Sequence, residues 1–492
     1  MKTQAVNPFL PSYEYIPDAE PYVFGDRVYI YGSHDRFGGE DFCMNDYVCW
    51  SAPVDNLGEW RNEGVIYRAV WDPLNKNGQQ HLFAPDVVVG KDGRYYLFYC
   101  LHMSPTVSVA VSDTPSGTFH FYGHIRYKNG ELYGQKKGDV FNFDPGVLSD
   151  DNGKFYLYTG ISHPKSAPLR KHLAGMFQID GSYCTELEDD LLTLKTAPVL
   201  VVPGQLQAEG TDFEGHAFFE ASSPRKINGK YYLIYSSEKS HDLCYAISDS
   251  PVKNFRYGGV IVSIGDIGIV DERHAVNYLG NTHGGLVQIR GCWYVFYHRH
   301  TNRCRNCRQM CAEKIQLLPN GRILQAEITS CGLNGGPLEG KGRYEARIAC
   351  NLSSGQGTYM YQKTRVPGDE IHPYFTQDGE DREDHPGQYI ANLCDGAWAG
   401  FKYFSFKSSG RRIMSVCTRG EGEGKFLVST APDGETVGKI QISPSKDWKT
   451  YSGEFLVNEG ICALYFTYQG TESVDWKWFE IENEKEAKTW LL

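Results

Sequence analysis

The sequence contains no apolar stretch of 18 residues, so no membrane-spanning helix is expected. Lys and Arg form no block long enough to make an electrostatic stripe. With 60 acidic against 49 basic residues the formal net charge is −11, which argues against a nucleic-acid partner. Long Ala/Leu/Glu/Lys segments with a 3.6-residue period are missing, which excludes a helical bundle. No phosphate-binding loop occurs, and no dinucleotide fingerprint follows a strand. The fourteen cysteines are spread through apparent strands of a 492-residue chain, too thinly for a disulfide scaffold, and read as buried free thiols. Cys304, Cys307 and Cys311 lack a fourth ligand at metal spacing and alternate in face, so no metal is expected there. Residues 1–11 carry one Lys and no apolar run of secretory-signal length. A soluble, cytoplasmic protein is the expectation.

What the chain has in excess is Tyr (33), Phe (25) and Gly (53), which favours strands and tight turns. One segment recurs five times: GDRVYIYGS at 25–33, DGRYYLFYC at 92–100, NGKFYLYTG at 152–160, NGKYYLIYS at 228–236 and RGCWYVFYH at 290–298. Each is a turn followed by alternating aromatic and aliphatic residues, the mark of a strand entered from a hairpin. Aligned on Tyr29, Tyr96, Tyr156, Tyr232 and Tyr294, the copies lie 67, 60, 76 and 62 residues apart. That is the content of a four-stranded propeller blade with loop insertions. Residues 1–329 are therefore expected to form a five-bladed β-propeller.

Ten to twelve positions before each aligned Tyr stand Asp18, Asp86, Asp144, Glu220 and His283. Residues at one phase of every blade converge on the central axis, so four carboxylates and a histidine are expected around one cavity. A turn-former alone has no reason to be Glu in one blade and His in another. Clustered carboxyls raise one another's pKa, and a protonated acid beside an ionised carboxylate suits glycoside hydrolysis. Residue type alone does not divide the roles among Asp18, Asp86, Asp144 and Glu220.

The strings IPDAEPYVFGDRVYIYGSHD, FNFDPGVLSDDNGKFYLYTG and FFEASSPRKINGKYYLIYSS, with Ala84-Pro85-Asp86 and Thr282-His283-Gly284, resemble glycoside hydrolase family 43 over about residues 7–325. The resemblance implies a five-bladed propeller and an inverting glycosidase acting mostly on arabinosyl and xylosyl linkages. It places the general base on Asp18, the pKa-modulating Asp on Asp144 and the general acid on Glu220. It also implies a histidine near the axis, His283, that lines the pocket floor or binds a calcium through water. Glu20 rivals Asp18 as base, but the interval from Asp18 to the following strand matches the family. Further expected sugar contacts are His34, Asp35, Phe83, Asp86 and Arg308.

Around Cys331–Gly342 the sequence turns Gly-rich and unpatterned, so 330–343 reads as a linker. Residues 344–492 then run as short alternating strands, as in a β-sandwich of jelly-roll type. This stretch resembles family 6 carbohydrate-binding modules, which implies sugar stacking on Trp398 or Tyr403 and a structural calcium held by Glu345 and Asp475.

The expected activity is exo-acting release of pentose from plant-derived oligosaccharides, with no required cofactor and no membrane or nucleic-acid partner. A propeller glycosidase acting on another sugar and a non-catalytic carbohydrate-binding propeller are the alternatives.

Overall fold

The computed structural model describes residues 4–163, 167–267, 275–360, 369–383 and 387–483. Five antiparallel sheets succeed one another along the chain. Blade 1 comprises Glu20–Phe24, Arg27–Tyr31, Tyr47–Pro53 and Arg61–Tyr67. Blade 2 comprises Asp86–Val89, Tyr95–Cys100, Val107–Ser112 and His120–His124. Blade 3 is built from Gly146–Ser149, Phe155–Thr159, Gly181–Leu187 and Val199–Pro203, and blade 4 from Phe218–Ile227, Lys230–Ser237, Asp242–Ser248 and Arg256–Ser263. Among the described residues blade 5 has three strands, Leu286–Ile289, Cys292–His300 and Arg308–Ile315.

Blade 5 thus departs from the four strands expected of each repeat, and the N-terminal segment lies along its outer strand. The Asn7 side chain accepts from the Ala312 amide (3.0 Å) and donates to the Ala312 carbonyl (2.9 Å) and to Glu313 (2.9 Å). An amide side chain that mimics a peptide group satisfies an edge that a fourth strand would otherwise cover.

The repeated aromatic residues fill the spaces between blades. Tyr96 packs between blades 2 and 3, Tyr156 between 3 and 4, Tyr232 between 4 and 5, and Tyr294 between 5 and 1. Tyr29 packs at the seam of blades 1 and 2. Burying such a side chain contributes roughly 1.5–3 kcal/mol, so the repeat is the element that holds the ring together. At the axis the inner strands approach closely. A Cβ on Gly146 would lie 2.1 Å from the Ser222 carbonyl oxygen of the next blade, which excludes any side chain there.

Downstream the described residues form a curled sheet of twelve strands around one core. Its centre is Trp476, Phe401, Phe466 and Phe479, all fully buried and in mutual ring contact. Part of the Gly-rich segment is ordered into it, since Leu338–Glu339 pairs in parallel with Phe404–Ser405. The sheet docks on the propeller through Lys402, whose ammonium reaches Asp266 (2.6 Å) and Glu327 (2.9 Å). Tyr403, expected to stack on sugar, instead donates its hydroxyl to Glu327 at this junction.

Candidate active site

Asp18 and Asp144 each stand two residues before the innermost strand of their blade, with positive φ of 59° and 44°. Glu220 sits in a register shift of its strand, followed by Ala221 at φ 72°. Left-handed backbone at a residue with a Cβ costs of order 1–3 kcal/mol. Here it falls at three points around one axis, where it turns the carboxyls off the strands and into the ring.

They meet in a cavity of about 550 Å³ lined by Asp18, Asp144, Glu220, His283 and Arg308, with Phe42, Phe83, Phe141, Phe143 and Phe219 as apolar walls. Met360, from the C-terminal third, also lines it. The volume suits one or two sugar rings, and the aromatic walls suit their apolar faces.

Asp18 forms an ion pair with Arg308 (3.0 Å), and its amide donates to Nδ1 of His298 (3.4 Å). Nε2 of His298 donates in turn to the Asn281 carbonyl (2.8 Å). Burial, with Arg308 nearby, holds that ring well below its usual pKa, so it is neutral and one tautomer is fixed. Burial, then the Asp144 charge, pushes Glu220 up to about 8. Asp144 is itself raised to about 7 by burial and by Asp18, against the pull of His283. Burial would depress His283, but Glu20, Asp144 and Asp18 outweigh it and raise the imidazole to about 9. Its ring lies 3.6 Å from Asp144, 3.8 Å from Glu20 and 4.0 Å from Asp18.

Of the two candidate bases, Asp18 faces the cavity. Glu20 is buried behind it, held by Arg225 (2.6 Å) and Ser223 (3.0 Å). Three expected sugar contacts lie elsewhere, each with its polar atoms already occupied. Asp86 accepts from the Tyr22 hydroxyl (2.5 Å) and the amides of Val87 and Val147 (2.7 Å each), which ties blades 1, 2 and 3 at the axis. Asp35 accepts both arms of Arg308 (2.8 and 2.9 Å) and so holds the guanidinium against Asp18. His34 is turned away to Glu14 (3.1 Å) and the Asp46 carbonyl (2.8 Å). Phe83 and Arg308 do reach the cavity.

Glu345 and Asp475 are not drawn into a shared ligand set. Glu345 accepts from Arg347 (2.5 Å) and Asp475 from Arg419 (3.0 Å) and the Asn392 amide (3.1 Å). Sequence reasoning missed His298, Asp41, Phe42, His102, Arg305 and Met360. Only His298 left a signal, as the last residue of the fifth repeat.

A carboxyl raised to about 8 and an arginine-paired aspartate, in one cavity on a propeller axis, are the equipment of a glycoside hydrolase. The chain belongs to glycosyl hydrolases family 43, whose sequence profile matches residues 6–323. It is 51% identical over 484 residues to a xylosidase/arabinosidase of Thermoclostridium stercorarium, covering 98% of this chain and 99% of the relative. It is also 31% identical over 321 residues to a xylosidase/arabinosidase of Bacteroides ovatus, covering 61% and 89%. Among solved structures, a family 43 arabinoxylan arabinofuranohydrolase of Bacillus subtilis in complex with cellotetraose covers 98% of this chain and 99% of its own (TM-score 0.51, 18% identity). A β-xylosidase/α-arabinofuranosidase from a compost microbial metagenome, in complex with xylotriose and described as a calcium-free form, covers 66% and 98% (TM-score 0.51, 26% identity).

Proposed function

We propose that the protein is an exo-acting, inverting pentosidase that releases arabinofuranose or xylose from oligosaccharides. In this reading Asp18 is the general base, Glu220 the general acid and Asp144 the group that keeps Glu220 protonated. The observation that carries it is Glu220, raised to about 8 beside Asp144 in the cavity that also holds the Arg308-paired Asp18. Arg308 fixes the carboxylate that takes a proton from water, while Glu220 gives its proton to the departing oxygen. The pentose preference rests on the relatives named xylosidase/arabinosidase.

A structural calcium at the cavity floor would have to take the place of the proton on His283. Glu20 Oε1 lies 3.8 Å from His283 Nε2, and with that ring neutral a calcium ion would be held between them, its remaining ligands supplied by water. When bound, it would supply a positive charge at the cavity floor.

The test is a series of aryl pentosides with leaving groups of graded acidity. Glu220→Ala should retain turnover of the most activated aryl pentosides and lose it as the leaving group becomes poorer, whereas Asp18→Ala should lose all. Proton NMR of the first sugar released should show the inverted anomer. A Glu220→Ala variant equally impaired on every leaving group would remove the acid assignment.

A further inference from the structure

Blade 2 carries a second cluster of chemistry on the cavity wall. Leu82 and Leu101 bridge antiparallel, and the His102 amide donates to the His81 carbonyl (2.9 Å), so residues 81 and 102 stand opposite each other on one face. The His102 ring is stacked on His81 (centroids 6.1 Å apart, 12° between planes) and on Phe83 (5.0 Å, 19°). Asp41, from the blade 1 loop, completes the group: one ligand atom of each of Asp41, His81 and His102 lies within 4.8 Å of the others. The three are half-buried, and Nδ1 of His81 is fully buried with no hydrogen-bond partner. Asp41 and His102 line the same cavity as Asp18 and Glu220, whereas His81 does not.

We infer that Asp41, His81 and His102 form a three-ligand site for a zinc-class divalent transition cation on the wall of the axial cavity, and that the bound ion excludes the glycoside. Two imidazoles and one carboxylate match the ligand preference of Zn²⁺ or Co²⁺ and not that of Ca²⁺, which takes six to eight oxygens. Ligand bonds of about 2.0–2.2 Å require the three side chains to close by roughly an ångström, within reach of half-buried groups. Three protein ligands leave the fourth position open. Because two ligands also line the cavity, the ion and the sugar compete for one space.

The test uses the full chain, titrated with Co²⁺ and Zn²⁺ by calorimetry and by the visible spectrum of cobalt. One equivalent is expected to bind, with no thiolate charge-transfer band, and Ca²⁺ should not displace it. His81→Ala should weaken binding on the order of tenfold or more, while its metal-free hydrolysis of aryl pentosides stays at the wild-type level. Zn²⁺ inhibition should be competitive with the glycoside, reversed by a chelator, and weakened in His81→Ala by the same factor. If the alanine variant does not fold, His81→Gln replaces it. Undiminished binding in the His81 variant, a thiolate band that places the ion on cysteine, or non-competitive inhibition would overturn the inference. The binding arm stands apart from catalysis, so a protein that turned over no pentoside would still decide it.

Discussion

Replacing Asp144 by Asn removes one charge beside Glu220 and leaves the shape intact. The carboxamide oxygen can still accept the Ala221 amide that Asp144 accepts. Glu220 moves from 4.5 to about 8, which at 1.36 kcal/mol per unit is about 5 kcal/mol of discrimination against its charged form. Desolvation is the largest cause and Asp144 the next. A nearby charge moves a carboxyl by roughly 1–3 units, so Glu220 in the variant should titrate about 1–3 units lower. The alkaline side of the kcat/KM profile reports the acid that must be protonated. Wild-type activity should therefore fall near pH 8, as the coupled pair Asp144 and Glu220 loses the second of its two protons. In Asp144→Asn the fall should come at about pH 5–7. A two-unit drop would lower the protonated share at pH 7 from about nine-tenths to about one-tenth. The height of the profile will fall as well, because Asp144 also orients its neighbours, so the position of the alkaline edge is the diagnostic. The assay is kcat/KM on an aryl pentoside from pH 4 to 10. An edge that stays near 8 or moves upward would refute the claim that Asp144 maintains the acid.

The same raised carboxyl has a stability consequence of definite sign. Glu220 binds its proton more tightly folded than unfolded, so its contribution is fully present below about pH 4.5 and is lost as pH rises through about 8. Glu220→Gln should thus raise the thermal midpoint at pH 9 and change it little at pH 4, with a ceiling of about 5 kcal/mol that the carboxyl's residual solvent contact reduces. A gain of equal size at both pH values would contradict this. Asp381, from the C-terminal third, accepts from the Phe37 amide (2.7 Å) and the Asn45 side chain (3.0 Å), and so pins the loop that carries Asp41 and Phe42. Asp381→Ala should cost about 1.5–3 kcal/mol per charged hydrogen bond in loop order. It should appear as a several-fold rise in KM with a smaller change in kcat. A fall in kcat at constant KM would point instead to the reacting groups.

The propeller was legible because one physical demand repeats. Each seam between blades needs a large side chain at the same phase, and Tyr96, Tyr156, Tyr232 and Tyr294 supply it at regular intervals. That phase also located Asp18, Asp144, Glu220 and His283, all of which line the cavity. It failed at Asp86 for a reason visible in the counts. Asp86 is the first residue of its own strand, whereas Asp18 and Asp144 stand two residues before theirs, in left-handed backbone. The matching place in blade 2 is Ala84, which does line the cavity. A tolerance of two residues in the count was enough to replace a small apolar residue by a carboxylate that belongs to the frame.

What stayed hidden joins residues far apart in the chain without local pattern. Arg308 meets Asp18 across 290 positions and Asp35 across 273. The guanidinium therefore serves as the joint between the closing blade and the opening one. The C-terminal sheet reaches that joint from behind: Arg382 contacts Glu14 (2.5 Å) and His34 (2.8 Å), one residue before Asp35, while Asp381 holds the other end of the same loop. Charge placement at Asp18 is thus secured by the buried Arg308–Asp35 pair, and the loop that carries Asp35 is held in turn by Arg382 and Asp381 from outside the propeller. A buried carboxylate left without its cation is strongly destabilising, by about 3–5 kcal/mol. The propeller cut away from its sheet would therefore lose Arg382 and Asp381 at a point where Asp35 and Arg308 have little freedom to reorganise. Residues with no part in the repeat help to set the geometry that the repeat creates.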